Sequence, residues 1–136
     1  MSNGKNKKLF KNTILLFITI GILNFIGNKL LLYSGTFWYD KILHFLAGFV
    51  IAMTVVIFYN MFSKVYSTSK TRLILIALLA TIIVGLLWEY FEFYFDIAIL
   101  DNNRNYWTDT SLDLVMDFMG GFFGAIYSIK ISNKNI

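Results

Sequence analysis

Cysteine is absent from this chain of 136 residues, and so is proline. The first absence excludes disulfides, thiolate metal sites and cysteine nucleophiles, although it leaves the compartment undetermined. The second removes the usual cause of sharply kinked helices. Charge is scarce as well: Asp, Glu, Lys and Arg make up 15% of the residues, against roughly 25% in soluble domains. There is a single histidine. Apolar residues take up the difference, at 57% of the chain, where a soluble domain averages about 45–50%.

These apolar residues gather in four blocks, over about 13–33, 40–62, 72–95 and 111–131. Each is close to the 20 or so residues that a helix needs to cross about 30 Å of hydrocarbon. The sequence therefore predicts an all-α, polytopic membrane protein, a bundle of four transmembrane helices spanning 13–131. Residues 1–12 form a basic N-terminal segment and 132–136 a short tail. The first block with its basic leader also fits a signal peptide, but its apolar run is long and no A-x-A-like site follows it, so it reads as a retained span.

The net charge is +4, which could suggest nucleic acid, but the positions of the charges argue otherwise. Lys5, Lys7, Lys8 and Lys11 precede the first span, Lys64, Lys70 and Arg72 lie between the second and third, and Lys130 and Lys134 close the chain. Lys29, Lys41 and Arg104 fall on the other side. The positive-inside rule then puts both termini in the cytoplasm of a cell whose inner membrane holds the chain. No nucleic-acid partner is expected.

The acids show the opposite asymmetry. Asp40, Glu89, Glu92, Asp96, Asp101, Asp109, Asp113 and Asp117 all lie at the outer ends of spans or in outer loops, with His44 one turn from Asp40. At 100° per residue, Asp40, His44, Ala47 and Gly48 share one face of the second span. Gly85, Glu89, Glu92 and Asp96 share a face of the third. Asp109, Asp113, Asp117, Gly120 and Gly124 share a stripe of the fourth, and Gly21, Asn24 and Asn28 share a face of the first. Small residues mark the faces where membrane helices meet, so the polar groups are expected to point inward, towards one another.

Acids at this depth are costly, about 2.5–3.5 kcal/mol each at a helix centre and less near an interface. Crowded carboxylates also cannot all ionise. Shared protons, asparagine amides, Lys41, Arg104 or a bound cation must offset them. An oxygen-rich set with one imidazole suits Mg²⁺, Mn²⁺ or Ca²⁺. The expected metal-ligating set is His44, Glu89, Glu92, Asp113 and Asp117, with Glu89, Asp113 and Asp117 foremost. His44 is a fourth ligand or a general base, and Asp40 orients it. Asp101 and Asp109 read as solvated loop acids.

Three strings carry a resemblance: DKILHFLAGF from Asp40, WEYFEF from Trp88 and DTSLDLVMDFMGG from Asp109. Together they resemble the YjdF-like inner-membrane proteins and, more distantly, the VanZ-like family, whose founder is associated with teicoplanin resistance. The resemblance implies a shared fold and a site at Asp40, Lys41, His44, Glu89, Glu92, Asp113 and Gly120, but it names no reaction. YjdF-like chains tend to be longer, with extra spans. VanZ-like chains carry an arginine before the last helix and an asparagine within it, where this chain has Thr108 and Asp117.

Three readings of the site follow. It is a metal-assisted hydrolase or transferase centre for a membrane lipid or lipid-linked envelope substrate, with Asp40, His44, Glu89, Glu92, Asp113 and Asp117 as the reacting and binding groups. Alternatively it couples transport to ions or protons, although the inner halves of the spans lack acids and histidine. Or the acids and His44 only tie the helices together, as part of a structural or lipid-binding protein. The sequence leaves a homo-oligomer open.

Overall fold

The computed structural model describes residues 2–62, 69–95 and 105–132. Asp96, Asp101, Arg104, Lys64 and Lys134 lie outside them, so the expectations placed on those residues have no counterpart here. The described residues are helical: α1 is Ser2–Lys29, α2 the short Leu32–Gly35, α3 Phe37–Phe62, α4 Lys70–Tyr94 and α5 Tyr106–Ser132. Four of them are long and apolar enough to cross a membrane, and the chain is a multi-pass membrane protein.

The first span departs from the sequence expectation at both ends. Its helix starts at Ser2 and the apolar span at Asn6, rather than near residue 13, because the leader has no proline to stop it and carries an anchor. Leu9, 0% exposed, packs against Met53, Val56, Leu73 and Ile129. At the other end the helix stops at Lys29 rather than Tyr33. Leu31 adopts a left-handed backbone with φ of 53°, α2 follows, and an extended Thr36 leads into α3. A side chain with a Cβ is disfavoured in that region by roughly 1–2 kcal/mol. Leu31→Asn, which tolerates it better, is expected to raise the thermal midpoint in detergent by a few degrees. The remaining spans begin and end within about five residues of the expected positions.

Along the bundle the interior changes character in layers. At the end holding the chain termini it is apolar, around Leu9 and Met53. A layer of Ala52, Ala77 and Ala125 follows. Next come glycines at points of close approach. A Cβ on Gly48 would run into the backbone carbonyl of Asp117, and one on Gly120 or Gly124 into the carbonyls of Phe45 and Phe49. Lipid offers no hydrophobic drive for helix association, so close backbone packing through small residues supplies much of the contact energy. The result is an intimate α3–α5 pair, with α4 packed against both.

α1 stands apart. Among the described residues, none of its Cα atoms comes within 8 Å of α4. It is tied to the rest near each end: Asn12 Nδ2 donates to Tyr127 Oη at 2.8 Å, and the Tyr39 hydroxyl donates to the Leu23 carbonyl. Gly27 makes room for the Tyr39 ring. Gly21, by contrast, has open space where a side chain would go. The expectation that Gly21 marks a packing face fails, since a helical wheel gives direction around the axis but not which neighbour is there.

Candidate functional site

Asp40 opens α3 and Asp109 opens α5, while Glu89 nears the end of α4, so α3, α4 and α5 bring their polar ends to the same level. The hub of this layer is Lys41, 1% exposed. Its Nζ lies 2.7 Å from Asp109 Oδ1, 2.7 Å from Asp113 Oδ1 and 3.2 Å from Asp40 Oδ2. Three acids from two helices therefore share one ammonium group. Asp109, expected to be solvated, is bound into the cluster. The sequence held a signal for this, since Asp109 lies on the same stripe of α5 as Asp113 and Asp117.

His44 occupies the next position inward. Its Nδ1 faces Asp117 Oδ2 at 3.3 Å. A carboxylate there accepts from Nδ1–H and leaves the Nε2 lone pair free to face the other way. Nε2 looks onto three carboxylate oxygens: Asp40 Oδ1 at 3.8 Å, Asp113 Oδ1 at 3.8 Å and Glu89 Oε1 at 3.9 Å. These separations are too long for hydrogen bonds. One ligand atom each from Asp40, His44 and Asp113 lies within 4.8 Å of the others, a grouping that could hold a metal ion.

Two oxygens in this space stand out. Glu89 is 5% exposed, and its Oε1 receives no hydrogen bond. Its other oxygen accepts from Thr110 Oγ1 at 2.7 Å, and the Tyr106 hydroxyl donates to its backbone carbonyl at 3.3 Å. Both partners come from the start of α5, and together they hold the carboxylate so that Oε1 faces His44. Asp113 Oδ1 also lacks a hydrogen bond, although Lys41 contacts it. Buried oxygens left this way are uncommon and call for an explanation.

The expected site residues thus divide. Asp40, His44, Glu89, Asp113 and Asp117 are brought together. Asp40 and Asp117 stand in exchanged places relative to the expectation: Asp117 meets the far ring nitrogen, while Asp40 joins the group around Nε2. A Cβ on Gly85 would strike the Asp117 carboxylate, so that glycine makes its position available. Glu92 is separate. Its Oε1 accepts from Trp88 Nε1 at 2.9 Å, on the same helix.

Asp40, His44, Glu89, Asp109 and Asp117 line part of a cleft of about 710 Å³, with Lys41 and Asp113 set behind them, a volume within the range of small-molecule sites. Its walls are α1, with Ile20, Asn24 and Asn28, and α4, with Val84, Trp88 and Glu92. Tyr33 donates to Asn24 Oδ1 at 2.7 Å, and Asn28 Nδ2 donates to the same oxygen at 2.9 Å. Burial, with help from the nearby Asp40 carboxylate, pushes the Tyr33 hydroxyl up to about 12, so it remains a donor at neutral pH. The asparagines of α1 therefore face the cleft rather than the centre of the bundle.

Residues 5–134 match the family described as "Predicted membrane protein (DUF2238)". A protein of Thermotoga maritima, described as "Uncharacterized protein", is 36% identical over 102 residues, covering 69% of this chain and 49% of the relative. The chain thus spans about half the length of that relative. No solved structure matches it. The chain belongs to the DUF2238 family of predicted membrane proteins.

Proposed function

We propose that the cluster binds one divalent cation of the Mg²⁺, Mn²⁺ or Ca²⁺ type and serves as a hydrolase or transferase centre for a membrane lipid or lipid-linked substrate. The observation that carries this reading is the convergence of Asp40 Oδ1, Glu89 Oε1 and Asp113 Oδ1 on His44 Nε2, with the glutamate oxygen buried and without a hydrogen bond. If ionised, Asp40, Glu89, Asp109, Asp113 and Asp117 carry more negative charge than Lys41 and a charged His44 balance. A hard cation satisfies both the charge and the orphaned Glu89 oxygen. Asp117 then takes the outer position behind the histidine, a common arrangement at metal centres.

In this reading Lys41 keeps Asp113 and Asp40 in place, and a carboxylate of the cluster activates water or a substrate hydroxyl. The likeness to YjdF-like and VanZ-like chains supports a site at these positions, and the distribution of lysines supports a cluster facing the outside with cytoplasmic termini.

Elemental analysis of the purified protein tests the cation directly. The expected result is close to one divalent ion per chain, lost in both Asp113→Asn and His44→Ala. Protein that carries no metal, and whose melting temperature does not change when Mg²⁺, Mn²⁺ or Ca²⁺ is added, overturns the reading.

A further inference from the structure

The cleft continues past the cluster into the hydrocarbon depth of the bundle. Below His44 it is lined by Ala47 and Ile51 of α3, Val84 of α4 and Ile20 of α1. Ile51 is seven residues beyond His44, or about 10 Å further along the helix. Most of the polar groups lie towards the other end, Asp117 being the deepest, level with Gly48 and Gly85, so the cleft is graded from charged to apolar along the helices. Its two walls belong to α1 and α4, whose Cα atoms stay more than 8 Å apart among the described residues, although Leu9 and Leu73 share the apolar cluster at the far end of the bundle. Both helices are spans, and what faces a gap between two spans is lipid.

We infer that the cleft seats a phosphate-headed amphiphile, with its chain in the slot between α1 and α4 and its phosphate joined to the carboxylate cluster through the bound cation. This rests on the cation reading above and adds to it the class of substrate. A bare cluster of carboxylates repels phosphate, whereas a hard cation held by carboxylates retains open positions for phosphate oxygens. The buried Glu89 oxygen without a hydrogen bond is the independent sign that a ligand belongs at the head of the slot. Entry is sideways from the bilayer, so the alkyl chain of the substrate need never leave the hydrocarbon while its head stays at the interface.

The test uses the whole protein in a maltoside detergent and two photoreactive probes with the same alkyl chain, one ending in phosphate and the other in quaternary ammonium. Labelled positions and bound metal are measured on the same samples. With Mg²⁺ or Mn²⁺ present, the phosphate probe is expected to label residues around Ile20, Ile51 and Val84, and a chelator to reduce that labelling about tenfold or more. Ala47→Phe, which narrows the slot, should abolish labelling while retaining the metal. Ile20→Cys capped with a bulky maleimide should do the same in a chain that has no other cysteine.

Metal-loaded protein whose labelling is spread evenly over lipid-facing residues overturns the inference and leaves the cation reading standing. Slot labelling by the ammonium probe that a chelator strengthens overturns it too, since the bare cluster is then the ligand. Protein free of metal under all conditions overturns both.

Discussion

Lys41→Met is expected to lower stability by about 3–5 kcal/mol, the cost of removing one partner from a buried ion pair. For a chain of this size that is a fall in thermal midpoint of roughly 10 °C or more. The size of the effect follows from the position of the ammonium group. It is 1% exposed and within 3.2 Å of three carboxylates. Methionine fills similar volume but leaves Asp40, Asp109 and Asp113 facing one another across a buried space. The loss should be partly recovered in Lys41→Met with Asp113→Asn and Asp109→Asn, where the repulsion is removed along with its counter-charge. Melting curves in detergent, compared through such a cycle, measure the coupling. A Lys41→Met protein that melts with wild type would show that the acids do not depend on the ammonium group.

The second large effect concerns a residue with no polar atom in its side chain. Gly120→Val is expected to force α3 and α5 apart, because even a Cβ there meets the Phe45 carbonyl oxygen and, at 3.0 Å, the Phe49 backbone nitrogen. Backbone cannot turn aside as a side chain can. Overpacking a fitted interior costs about 1–3 kcal/mol, and more when backbone must shift. The consequence for the site is larger than the loss of stability. His44 and Asp117 come from these two helices and face each other at 3.3 Å, so a displacement of about 1 Å is enough to spoil a reacting geometry. Metal content should drop together with the melting temperature. Gly21→Ala serves as the control, since a Cβ at that position meets nothing, and it should behave as wild type in both measurements.

Much of this architecture was legible in the sequence. Block length and composition gave four spans, and 100° arithmetic gave the faces of α3, α4 and α5 that carry His44, Glu89, Asp113 and Asp117. Glycines at 48, 85, 120 and 124 on those same faces pointed to close approach. What the wheel could not supply was the third dimension. Lys41 lies beside Asp40 and about 60° round the helix from His44, and its long stem lets the ammonium group reach across to α5. Asp117 and Asp40 both lie on the face that includes or meets His44, and only the tilt of the helices decides which ring nitrogen each one meets. Glu92 shares a stripe with Glu89, but the Trp88 indole takes its carboxylate. α1 was misjudged for a related reason: its asparagines do form a face, but that face borders a gap.

The Lys41 ion pairs join residues 68 and 72 positions apart, and this separation has a consequence for biosynthesis. At about 5–20 residues per second, roughly 4–14 s pass between the emergence of Lys41 and that of Asp113. During that interval Lys41, about one turn into α3, has Asp40 but lacks Asp109 and Asp113, and drawing its charge into hydrocarbon would cost up to about 2.5–3.5 kcal/mol. The start of α3 is therefore expected to stay at the water boundary until α5 is made, and the arrival of α5 to draw the charge inward. Closure of this bundle therefore waits for α5, and a chain truncated before α5 is expected to leave Lys41 exposed to reagents that the closed bundle excludes.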